Sequence, residues 1–107
     1  MIRDINGNIL HGRNLDFDFA RYLSKLSANA EFYKNGKLLF KAEILVGFVS
    51  IITGVKNNKF SANINTRESN HSTPLSNIYH IVMQNTISPP WLLRKTFESA
   101  NSFEEAV

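Results

Sequence analysis

Arg13 and Asp16 set a guanidinium and a carboxylate three residues apart in the run Leu10-His11-Gly12-Arg13-Asn14-Leu15-Asp16-Phe17, just after a hairpin signal. Neither group attacks a substrate. Charged groups of this kind hold a nucleophile, an amine or a substrate carbonyl in position. The same pair also reads as a partly buried structural ion pair. Their odd separation matters, because an undistorted strand points the two side chains to opposite faces, and only a bulge or bend lets both reach one site. Asp16 and Asp18 share a strand face, but two carboxylates without a third ligand make a poor metal site. A solvated face opposite Leu15, Phe17 and Phe19 accounts for them. His11, His71 and His80 show no metal-ligand spacing, and no Ser–His–Asp arrangement is suggested. No metal and no cofactor is expected. The chain contains no cysteine.

The elements that must position these residues begin with strands. Ile2–Ile5 and Asn8–Gly12 flank Asn6-Gly7, a dipeptide suited to a two-residue type I′ hairpin, and that register sets Met1 against Gly12. Extended beyond Met1, the same register brings the preceding residues alongside Asp16. Asn35-Gly36 repeats the signal between Ala30–Lys34 and Lys37–Ala42. Val46–Thr53 is β-branched and aromatic over the length of a buried strand, and Lys56-Asn57-Asn58-Lys59 turns it into Phe60–Asn65. Phe19, Tyr22, Leu23 and Leu26 fall at helical spacing, which leaves residues 19–28 as a short helix or a loop.

From Thr73 the period changes to that of helices. Thr73-Pro74 is a cap followed by a first-turn proline, and Leu75, Ile78, Tyr79, Val82 and Met83 form a stripe that predicts a helix of roughly three turns buried on the sheet. Ser88-Pro89 opens a second helix with Trp91, Leu92, Phe97 and Ala100 as its apolar cover. Ser102 and Glu105 form a capping box, a device that is useful only where a helix follows. Strands first and helices after give an α+β fold, an antiparallel meander with helices packed on one face. One domain is expected, with strands and hairpins over 1–67 and helices over 73–107.

At 107 residues, 43% hydrophobic and 20% charged, the composition is that of a modest globular domain and excludes disorder. The net charge of +3 raises the question of nucleic acid, yet the basic residues are dispersed and form no patch. The longest apolar run, Ile44–Thr53, is interrupted by Gly47 and Ser50 and falls short of the roughly 20 residues a membrane span needs. No basic n-region with an apolar h-region opens the chain, so no signal peptide is expected within it. Asn70-His71-Ser72 is a glycosylation acceptor triplet in a polar stretch.

The octet at Leu10 resembles the His-Gly-Arg-Asn-x-Asp-Phe signature of the acid ceramidase and N-acylethanolamine acid amidase family, N-terminal-nucleophile hydrolases of fatty-acid amides. Two further blocks follow in the family's order, Asn35–Ala42 through Gly47–Gly54, and Phe60–Arg67. The resemblance implies a partial αββα fold and a cysteine nucleophile lying shortly before the signature. In that chemistry a thiolate attacks the amide carbon and its own α-amino group relays the proton. By resemblance Asp16 orients the α-amino group, and Arg13 helps position the nucleophile and the substrate carbonyl. Asn65 would then donate to the developing oxyanion, a contact worth on the order of 3 kcal/mol. Asn65 also reads as a strand-end turn former. Thr66 stands where relatives carry glutamate, and it supplies neither charge nor a base near neutral pH.

The resemblance therefore predicts a fragment of a lysosomal amidase, truncated at both ends and inactive alone for want of a cysteine. The substrate would be a ceramide or an N-acylethanolamine, with a second subunit from the same precursor. A non-catalytic domain that keeps the fold and some lipid affinity is the alternative, as is a truncated product with no independent activity.

Overall fold

In a computed structural model the described residues are 2–14, 19–65, 73–84 and 86–107. Two short strands, β1 (Ile2–Arg3) and β2 (Ile9–Leu10), form a hairpin. A one-turn helix, α1 (Ala20–Leu23), then leads into an antiparallel meander of β3 (Ser27–Lys34), β4 (Lys37–Leu45), β5 (Thr53–Lys56) and β6 (Phe60–Asn63), paired in chain order. The helices α2 (Pro74–Met83), α3 (Pro89–Ser99) and α4 (Phe103–Ala106) follow.

The β3–β4 hairpin follows its turn chemistry. Asn35 and Gly36 both take positive φ, 53° and 76°, so Lys34 pairs with Lys37 across a type I′ turn. A bulge then shifts the register so that Phe32 faces Phe40, and the two rings stack at 4.4 Å. Beyond the bulge, strand alternation sends Phe40 and Ala42 to one face and Lys41 and Glu43 to the other.

The first hairpin departs from the two-residue expectation. Ile2 faces Leu10 and Arg3 faces Ile9, one residue out of step with the register that sets Met1 against Gly12. The reason is Asp4. Its carboxylate accepts from the amides of Asn6 at 2.9 Å and Asn8 at 2.8 Å and from the Asn8 side chain, while the Gly7 amide bonds to the Asp4 carbonyl. These bonds hold the Asp4 carboxyl below its ordinary pKa, the Asn8 side chain first. The turn is therefore wider, with Gly7 alone at positive φ of 85° and Asn6 not. A one-residue shift reverses faces, so the extrapolation toward Asp16 does not hold. Met1 itself lies outside the described residues.

Val46–Ile52 is not a strand either. Gly47 adopts φ 90°, the Phe48 amide bonds back to the Leu45 carbonyl at 2.8 Å, and the chain loops before Thr53. That loop drops Ile51 into the core, fully buried, and leaves Val46 and Val49 exposed. The guanidinium of Arg94 ties it to α3 by donating to the Val49 carbonyl while lying over the rings of Phe32 and Trp91.

The core lies between one sheet face and α3. Phe97 is fully buried and packs on Phe40 at 5.2 Å and Phe60 at 4.9 Å, joined by Ala42, Ile51 and Ala100. Gly54 makes this seat available, since a Cβ there would stand 3.0 Å from the Phe97 ring. Leu93, rather than the expected Leu92, packs against the core.

Helix α2 forms as its caps predict. Thr73 accepts from the Ser76 amide and Ser76 bonds back to the Thr73 amide. It does not lie on the sheet. Leu75 is 78% exposed, Val82 69% and Met83 68%, so the expected burial of this stripe is overturned. Periodicity dictates that one helix face is apolar but not which surface covers it, and α3 has taken the sheet face.

Candidate active site

On the face of the sheet turned away from α3 lie Lys41, Glu43, Thr53, Val55 and Ser61, while Gly54 and Lys56 face the helix. Across the first of these faces runs the segment that follows β2, fastened at two points. His11 Nδ1 lies 2.7 Å from Ser61 Oγ, and two residues on Arg13 reaches the junction where β5 and β6 part. There its Nη1 donates to Thr53 Oγ1 at 2.8 Å, to the Ile64 carbonyl at 3.2 Å and to the Ile52 carbonyl at 3.3 Å. The Ile52 carbonyl also receives the Ile64 amide at 2.9 Å, so Arg13 grips the last rung of the β5–β6 pairing.

Arg13 Nε and Nη2 are buried and have no hydrogen-bond partner among the described residues. Nε–H and Nη2–H lie side by side and make the parallel pair that matches two oxygens of a carboxylate or clamps one acyl oxygen. Buried donors left unmatched cost about 1–3 kcal/mol each, so an acceptor is called for at this edge.

A cavity of about 360 Å³ adjoins Arg13, walled by Asn14, Glu43, Ile52 and Thr53. A larger groove of about 610 Å³ runs along the same sheet face past Ile9, His11, Lys41, Val55 and Ser61. In the groove the Lys41 ammonium, 2.6 Å from Glu31, draws the Glu31 carboxyl below its ordinary pKa with help from the Tyr33 hydroxyl, and Glu31 raises Lys41 in turn. This pair is open to solvent and water screens it.

Of the residues singled out from sequence, Arg13 is part-buried and fixed. Asn65 is exposed and follows directly on the Ile64 carbonyl that Arg13 holds, which brings these two to one end of the sheet. Asp16, Asp18, Thr66, Arg67 and the triplet Asn70-His71-Ser72 lie outside the described residues. Sequence reasoning passed over Thr53 and the His11–Ser61 contact. Strand parity carries the signal for Thr53, since Gly54 faces α3 and its neighbour must face the other way. Among the described residues no group of three His, Cys, Asp or Glu stands close enough to hold a metal ion. No helix among them is long and apolar enough to cross a membrane.

A four-stranded antiparallel sheet with α3 packed on one face, and a guanidinium where β5 and the edge strand β6 part, is an α+β arrangement. Comparison with solved structures agrees on the fold. A Caenorhabditis elegans N-acylethanolamine-hydrolyzing acid amidase ortholog superposes with a TM-score of 0.78 at 24% identity, over 97% of this chain and 44% of that one. In sequence, the N-acylethanolamine-hydrolyzing acid amidase of Mus musculus is 38% identical over 105 residues, covering 98% of this chain and 28% of the mouse protein. The acid ceramidase of Homo sapiens is 31% identical over 119 residues, covering 96% of this chain and 30% of the human protein. No family model matches. Over nearly its whole length the chain is similar to N-acylethanolamine-hydrolyzing acid amidases and acid ceramidases, and it spans 28% of the length of the mouse relative.

Proposed function

We propose that this chain supplies the carbonyl-binding and nucleophile-orienting part of a fatty-acid amide hydrolase, with the attacking cysteine contributed from outside these 107 residues. The observation that carries the reading is the buried edge of the Arg13 guanidinium, unmatched among the described residues, in a chain whose relatives are named for hydrolysing N-acylethanolamines and ceramide. Arg13 and Asn65 donate to the acyl oxygen as the tetrahedral intermediate forms, and Asp16 holds the nucleophile's α-amino group. The thiolate attacks the amide carbon, the amine leaves with a proton, and water then releases the fatty acid. The substrate is a ceramide or an N-acylethanolamine, and the chain is an incomplete domain joined in the whole enzyme by a second subunit from the same precursor. A lysosomal setting agrees with relatives named as acid enzymes. The absence of cysteine favours a second reading, a non-catalytic domain that keeps the fold and binds lipid.

Kinetics in the natural protein that contains this sequence test the assignment. Arg13→Gln and Asp16→Asn should each lower kcat/KM on a fatty amide by at least about tenfold, ~1.4 kcal/mol in the barrier. Asp18→Asn should cost little. Unchanged rates, or equal unfolding by both substitutions, would hand these residues back to a structural ion pair.

A further inference from the structure

The geometry points to Thr53 as a positioning residue, one that aims the unmatched edge of Arg13 at the acyl group without touching it. The inference rests on the function proposed above and adds a residue to it. A guanidinium presents two useful edges, and a long, flexible side chain does not choose between them unaided. Here the choice is made by acceptors on Nη1 alone. Thr53 Oγ1 lies at 2.8 Å, closer than the carbonyls of Ile64 at 3.2 Å and Ile52 at 3.3 Å. With Nη1 occupied, Nε and Nη2 form the edge left over, and both are buried and unmatched among the described residues.

Thr53 itself has little freedom. It sits at the start of β5, paired with Glu43 on one side and Asn63 on the other, and its β-branched side chain is stiff at χ1. The acceptor is therefore set by the sheet. The same contact fixes a distance, because the Ile64 carbonyl that shares Nη1 belongs to the residue just before Asn65. One hydroxyl on a rigid strand thus governs both where the guanidinium points and how far it stands from the amide proposed to work with it. His11, held to Ser61 two residues earlier, anchors the approach of the segment but does not choose the edge.

The test uses laurate, a fatty carboxylate with the chemistry of the released acid, titrated below its micellar range into the natural protein that contains this sequence and into its variants. Binding is followed by calorimetry and by the Arg13 Nε–H resonance, with melting curves alongside. Thr53→Val keeps the branched shape and removes the acceptor, and should weaken laurate binding about tenfold with an unchanged melting midpoint and a displaced Arg13 resonance. Thr53→Ser restores the hydroxyl and should bind within about threefold of the unsubstituted protein. Arg13→Gln should bind as weakly as Thr53→Val or more so. If Arg13→Gln loses binding while Thr53→Val binds normally, the positioning role is overturned and the proposed function stands. If Arg13→Gln also binds normally, or the unsubstituted protein does not bind, both fall. Should Thr53→Val unfold, Thr53→Ala takes its place. Unfolding by both would make Thr53 a structural residue and end the proposal.

Discussion

Gly54 and Phe97 meet so closely that the fold depends on a missing methyl group. A Cβ at position 54 would lie 3.0 Å and 3.1 Å from two ring carbons of Phe97 and 3.3 Å from the Lys41 carbonyl oxygen. The ring is fully buried between Phe40 and Phe60, so it has nowhere to retreat. Gly54→Ala should therefore destabilise the chain by about 1–3 kcal/mol through overpacking, read as a lowered urea midpoint. A midpoint unchanged from the unsubstituted chain would show that α3 can shift on the sheet.

Lys56 is the second residue on which this interface turns. It is 5% exposed, and its ammonium donates to the carbonyls of Phe97 at 3.0 Å and Ala100 at 2.6 Å, where the last turn of α3 has run out of helical partners. Burial lowers its pKa from the ordinary 10.5, with repulsion from Lys59 adding to the shift and Glu105 opposing it. The unfolded chain then holds this proton more tightly than the folded one. Between the lowered folded value and 10.5 the unfolded state binds more protons, so stability attributable to Lys56 rises with pH through that window. Urea midpoints measured as the pH is raised toward 10.5 should show that slope in the unsubstituted chain and a flatter one in Lys56→Met. Equal slopes would refute the assignment.

At the scale of elements, α2 stands apart. Its caps and its i, i+3, i+4 stripe form the helix, yet Ile78 and Val82 remain exposed and outside the core cluster. Ile78→Gln with Val82→Gln should thus change the melting free energy by less than about 0.5 kcal/mol. A loss of several kcal/mol would mean that this face is packed after all. The helix illustrates what the sequence made legible and what it hid. Local chemistry could be read well. Asn35-Gly36 dictated a type I′ turn, Thr73-Pro74 dictated a helix start, and Ser102 accepts from the Glu105 amide as its capping box requires, although Glu105 reaches back to the Asn101 amide. Choices made between elements could not be read. Asp4 widened the first turn because its carboxylate outbid the Asn-Gly preference, and Gly47 bent a β-branched run into a loop that buries Ser50 and Ile51 and leaves Val46 and Val49 exposed. At the site, Arg13 was legible from its motif, whereas Thr53 emerged only when strand parity and the crossing segment were known together.

At the scale of the molecule, one sheet face is covered and the other is furnished. Phe97 and its neighbours seal the first, while the second carries Arg13 beside its own cavity and His11 and the Lys41–Glu31 pair along a larger groove. That asymmetry agrees with the function proposed above, in which these 107 residues would orient an acyl group while the thiol, which they lack, comes from elsewhere. The most direct test is turnover of a fatty amide by the natural protein that contains this sequence, assayed before and after alkylation of thiols, beside the 107-residue chain alone. The account predicts hydrolysis by the natural protein that alkylation abolishes, and none above buffer by the isolated chain. Turnover by the isolated chain that survives alkylation would contradict it.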